Sequence, residues 1–85
     1  MVKYIQQGKH MRDQLIKASK LHYAAHIEKH RINLEVLLAN PMSLPDHTDV
    51  MDAIEKEVEI IAGYMDKLEV LSRYFKETPK NEPQV

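Results

Sequence analysis

Cysteine is absent from this sequence, glycine occurs twice, and the aromatic side chains are only Tyr4, Tyr23, Tyr64, Tyr74 and Phe75. Lack of cysteine rules out a disulfide framework and a thiolate zinc centre, and an intracellular setting is the simpler expectation. No apolar run approaches the roughly 18 residues that mark a membrane span. The beginning of the chain also lacks the basic-then-apolar layout of a secretory signal, so a cytoplasmic protein without a membrane partner is expected. With so little glycine there is no phosphate-cradling loop, and neither a Ser-His-Asp nor a Cys-His set offers a nucleophile. The expectation is a protein that is not an enzyme and uses no cofactor.

At 85 residues the chain holds one domain at most. A domain of that size buries little surface, and self-association is the natural remedy. The formal net charge of −1 hides an asymmetry: residues 1–40 carry seven Lys/Arg against three Asp/Glu, and residues 41–85 carry five against ten. Such halves attract one another when folded back as neighbours, and the basic half also offers a place for an anion. The slightly negative total, without helix-turn-helix spacing, argues against duplex nucleic acid as a partner.

Helical signals fill most of the chain. Gly8 separates a short leader, Val2 to Gln7, from a run between Lys9 and Ala39 without proline or glycine, and a kink or separate first turn is expected there. That run is rich in Ala, Leu, Lys, Glu and Arg, with Met11, Leu15, Ala18, Ala25, Ile32 and Val36 at helical spacing, which predicts one long helix. Asn40-Pro41 ends it, because proline disfavours helical geometry in the residue before it. Ser43 or Asp46 is a candidate cap for a second helix. There Ile54, Ile61, Leu68 and Phe75 recur every seven residues, interleaved with Val58, Met65 and Ser72. A further stripe, Val50, Ala53, Ile60, Tyr64 and Leu71, adds more apolar surface than one antiparallel neighbour covers. Helix two fades near Lys76, and residues 78–85, polar and proline-broken, read as a disordered tail after a domain spanning 1–77. The short connector forces an antiparallel helical hairpin, whose remaining apolar arcs are expected to assemble into a helical-bundle homo-oligomer.

His22, His26 and His30 stand one turn apart on the first helix, in an arc shared with Tyr4, Met11, Leu15 and Leu37. Imidazoles at four-residue spacing can chelate a metal ion. They also pack at seam edges against water or acidic groups, and with Arg12 and Lys29 nearby they can donate to phosphate oxygens. Glu28 points away from the row, and the Glu-x-x-His pattern of di-iron bundles is missing, so no metal is expected. Tyr64 and Tyr74 are expected in a seam, His10 and His47 in solvent, and Tyr4 over a ligand as a stacking face.

A leader, a long basic helix, a proline-bounded turn and a heptad helix carrying Gly63-Tyr64-Met65 resemble the small helical-hairpin sponges by which bacteriophages sequester cyclic oligonucleotide signals, the anti-CBASS family. The resemblance spans about residues 2–76 and implies a compact oligomer, often a hexamer, in the host cytoplasm. Such an oligomer binds a cyclic di- or trinucleotide between subunits without cleaving it. It implies an aromatic contact near the N-terminus, here Tyr4, and basic contacts from the helices. Where an arginine and small apolar residues are expected after the Gly-aromatic-Met triplet, this chain has Asp66-Lys67-Leu68-Glu69, with Arg73 next. Lys67, Arg73 and the histidine row are then the substitutes for the phosphate contact. The ligand contacts so expected are Tyr4, Arg12, His22, His26, Lys29 and His30, joined by Tyr64, Lys67 and Arg73. The rival readings are a dimeric four-helix-bundle adaptor that inhibits or recruits a host protein, and a metal-binding bundle.

Overall fold

A computed structural model describes residues 2–41 and 49–79, with side chains from 10–41 and 49–79. Two helices pack against each other, α1 (Val2–Ala39) and α2 (Val50–Tyr74). Contacts between His30 and Glu57, and between Arg12 and Lys76, show that they run antiparallel. The all-α hairpin expected from the sequence is therefore present. The break expected at Gly8 is not: α1 passes through it and the leader is the helix's own first turns. One glycine costs a helix only about 1 kcal/mol relative to alanine, which favourable neighbours offset.

Helix α1 ends where Pro41 follows Asn40, whose amide still donates to the Val36 carbonyl at 3.0 Å. Asp49 takes the cap position of α2 without a side-chain cap bond, and Asp52 puts a carboxylate in the first turn, where the helix dipole favours it. Ser43, Asp46 and His47 lie outside the described residues. At the far end the Phe75 amide donates to the Leu71 carbonyl at 2.9 Å. Thr78, assigned by its composition to the tail, is held against α1: its amide donates to Asp13 Oδ1 at 3.2 Å, while Arg12 Nη1 donates to the Lys76 carbonyl at 3.0 Å.

The seam between the helices is a pair of heptad rows. On α1 the shielded positions Asp13, Ile16, Lys20, Tyr23, Ile27 and His30 step by three and four, continuing to Leu34 and Leu37. On α2 they are Val50, Ile54, Glu57, Ile61, Tyr64, Leu68 and Leu71. Ile54, Ile61 and Leu68 thus lie where their spacing puts them, but Val58, Met65 and Phe75 do not. They are 47%, 56% and 49% exposed, and Glu57, Tyr64 and Leu71 take the interleaving places. The stripe Met11, Leu15, Ala18, Ala25, Ile32 and Val36 on α1 also faces outward.

Among the described residues Ile16, 6% exposed, is the one buried hydrophobic side chain, and none is fully buried. Half-burying an isoleucine or leucine contributes roughly 1 kcal/mol, against about 1.5–3 kcal/mol for full burial, so the seam has little to spare. The radius of gyration, 19.3 Å, exceeds the roughly 12 Å of a compact domain of this length. The accessible surface of 7208 Å² is about 2000 Å² above that of a compact monomer of the same mass.

Candidate functional site

The histidine row crosses from solvent to seam. A four-residue step turns an α-helix by about 400°, so each ring sits about 40° further round than the one before. His22 is accordingly exposed, His26 half-buried beside the seam and His30 within it. His30 Nδ1 lies 2.7 Å from Glu57 Oε2, with the two side chains 15% and 21% exposed. A carboxylate oxygen only accepts, so the contact has the imidazole N–H donating.

His26 lies at the centre of an aromatic cluster. Its ring stacks on Tyr64 of α2 at 4.7 Å with an 11° tilt, meets His22 edge-on at 4.5 Å and lies 6.4 Å from His30. Tyr23 sits 6.0 Å from Tyr64, and the Lys67 ammonium is 4.6 Å from the Tyr64 ring centre. The electron-rich face of the phenol attracts that cation, which holds Lys67 beside the histidines. Partial burial lowers the His26 pKa from its ordinary value of 6.5, and the charges of His22, Lys29, His30 and Lys67 lower it further.

Six of the expected contact residues therefore come together: His22, His26, Lys29, His30, Tyr64 and Lys67. A shallow depression of about 230 Å³ is lined by His22, Ala25, His26 and Lys29. Lys56 stands eleven residues from Lys67, close to three whole turns, and so faces the same side of α2. Among the described residues neither Lys29, Lys56 nor Lys67 forms an ion pair.

Three expected residues are elsewhere. Arg12 lies about 21 Å from His26 along the axis, bonded to the Lys76 carbonyl and paired with Asp13. Arg73 pairs with Glu69 at 2.5 Å, and Tyr74 is 66% exposed rather than in the seam. The backbone of Tyr4 is in α1, about 27 Å from His22 along a continuous helix, so the leader cannot fold back over the histidines of its own chain. Glu57 was not foreseen as a partner of the row. Its signal was a carboxylate seven residues from both Val50 and Tyr64, on an otherwise apolar heptad position.

Among the described residues no group of three or more histidine, aspartate or glutamate side chains could hold a metal ion. His30 is engaged by Glu57, and the spiral of the row turns His22 away from it. No described helix is long and apolar enough to cross a membrane. A larger depression, about 560 Å³, lies where the segment after α2 meets α1. Its lining mixes His10 and Lys17 with Asp13 and Glu77, so it presents no single sign of charge.

The fold and site thus define an antiparallel two-helix hairpin with a cationic, aromatic flank. Comparison with family models, curated proteins and solved structures finds no match to this chain.

Proposed function

We propose that the protein is a non-catalytic binding protein that captures a small phosphate-bearing anion on the flank formed by His22, His26, Lys29, Lys67 and Tyr64. The observation that supports it is the gathering of these side chains, without a carboxylate among them, around one half-buried phenol ring. Imidazolium and ammonium groups donate charge-assisted bonds to phosphate oxygens, and Tyr64 with His26 offers a stacked surface to a base. The lowered pKa of His26 supports the same reading: burial is its main cause, and an arriving anion relieves the repulsion from His22, Lys29, His30 and Lys67 that adds to it.

The depression on one chain, about 230 Å³, is smaller than the roughly 300–1,000 Å³ of drug-sized ligand sites. One hairpin accommodates a phosphate group, and a whole nucleotide requires walls from another copy. A cyclic di- or trinucleotide held between copies of a homo-oligomer, as the phage-sponge resemblance implies, is the ligand proposed. Tyr4 could then contribute only from a neighbouring chain.

A panel of cyclic di- and trinucleotides, with pyrophosphate for comparison, tests the reading by thermal shift. A ligand at a hundred times its Kd adds about 2.7 kcal/mol of stability, and it is recovered intact. Identical melting curves across the panel would refute the proposal. A protein-interaction adaptor is the second reading, favoured by the exposed Met51, Val58 and Met65 on α2. Co-purification of one stoichiometric protein together with silence toward nucleotides selects it.

A further inference from the structure

The outward face of α1 carries a second heptad row. Met11, Leu15, Ala18, Ala25, Ile32 and Val36 step along it with His22 and Lys29 in the two gaps, on the side of the helix away from α2. Met11 is 54% exposed, Leu15 60%, Ile32 49% and Val36 56%. A row of this kind over seven turns is the pattern by which helices pair, and no described residue of the hairpin buries it.

The row is complementary to itself when reversed. In the antiparallel register that overlaps the whole row, Met11 meets Val36 and Leu15 meets Ile32 at both ends. In the middle, Ala18 faces Lys29 and Ala25 faces His22, so each long polar side chain lies over an alanine. The flanking positions set Gln14 against Glu35 and Arg12 against Asn33, so no like charges oppose one another, and the helix dipoles run in opposite directions. The exposed strip on α2 lacks this property. Each antiparallel register of Met51, Val58 and Met65 on itself places Glu55 or Glu69 against a methionine or valine, where on α1 each long polar side chain meets an alanine that leaves it room to reach water.

We propose that a second copy of this chain docks antiparallel along the outward row of α1, with the two-fold axis passing between His22 and Ala25. The excess surface of the single hairpin, about 2000 Å², exceeds the roughly 800 Å² that each partner gives up in a standard interface, and this docking accounts for part of it. The contact strip is about 38 Å long and about 10 Å wide, at the small end for a specific interface. Association is therefore concentration-dependent. The docking covers Ala25 and part of the depression lined by His22, His26 and Lys29, leaving His26, Tyr64 and Lys67 at its rim, and it does not depend on anion binding.

Sedimentation equilibrium over about a hundredfold range of protein concentration tests the proposal. The unaltered chain is expected to shift from monomer toward dimer, and Leu15→Asp/Ile32→Asp to stay monomeric with unchanged helical circular dichroism. Met51→Asp/Met65→Asp, on the α2 strip, is expected to dimerise as before. Because the sequence lacks cysteine, single labels at Leu21→Cys and Gln14→Cys report register without background. The Gln14 pair is expected about 20 Å farther apart along the axis than the Leu21 pair. Equal distances, self-association unaffected by the Leu15/Ile32 change, or loss of it in the Met51/Met65 variant each overturn the proposal. A chain that dimerises in this way yet ignores every phosphate compound refutes the functional reading alone.

Discussion

The two flanks of the hairpin handle charge in opposite ways. On one, Lys29 and Lys67 stand with His22 and His26, Lys56 lies on the same side of α2, and among the described residues none of the three lysines forms an ion pair. Elsewhere on the described surface the arginines are the cations that are paired locally. Arg31 grips Glu28 through two bonds of 3.1 and 2.6 Å, and Arg73 holds Glu69 one turn away. The Arg31 guanidinium lowers the pKa of Glu28, chiefly through its hydrogen bonds. Helical ion pairs at three- and four-residue spacing stabilise a helix and ask nothing of a partner. Uncompensated cations of one sign repel one another and are relieved by an external anion, so the contrast separates a surface that only solvates from one that can bind.

The sharpest way to break the comparison is to discharge one flank and then the other. Lys29→Ala/Lys67→Ala is expected to lower affinity for pyrophosphate about 100-fold, since a bond to a charged group is worth about 1.5–3 kcal/mol. Arg31→Ala/Arg73→Ala is expected to leave it within about twofold, as expected for exposed, locally paired groups. Calorimetric titration reads both, and an equal loss from the two variants would erase the distinction.

Next in size is the His30–Glu57 contact, which fixes the inner end of the histidine row. Glu57→Ala leaves a half-buried imidazole without its acceptor and is expected to cost about 1–3 kcal/mol in urea unfolding. Replacing both partners, His30→Leu/Glu57→Leu, is expected to restore or exceed the original stability, because paired polar groups in a seam are often no better than packed apolar ones. Failure of the double replacement would mean that the pair contributes net stability.

A smaller effect follows from His26. Its pKa lies below 6.5 in the folded chain, so the unfolded chain binds more protons as the pH falls. The stability of the free protein is therefore expected to decline as pH drops through about 6.5, levelling off below the folded pKa. An anion that raises the His26 pKa reverses the sense: its binding takes up protons and tightens over the same interval. Denaturation curves from pH 8 to pH 5 measure the first, and calorimetry in buffers of different ionisation enthalpy the second. His26→Asn is expected to flatten both.

The sequence was informative about helices and less so about their faces. The hairpin follows from Pro41, the proline-free runs and the opposite charge of the halves, all local or summed properties. The faces were harder because α1 carries two heptad rows, and the more apolar one, Met11 through Val36, is not the row that meets α2. Its inner row instead contains Asp13, which accepts from the Thr78 amide, and Lys20 and His30, whose long or ring side chains are tolerated in a seam only half closed to water. On α2 the row Ile54, Ile61, Leu68 was legible. Whether Val58 or Glu57 interleaved it was not, since that depends on which side the partner approaches. The same dependence hid the link between His26 and Tyr64, which lie on different helices and meet only after the hairpin closes.

The most direct test is the titration of individual histidine side chains by nuclear magnetic resonance, with and without pyrophosphate. The anion-capturing flank predicts that the anion raises the pKa of His26 and displaces the ring resonances of His22, while those of His10, about 24 Å away along α1, do not move. Histidines that respond alike, or not at all, would contradict the assignment of that flank as a binding surface.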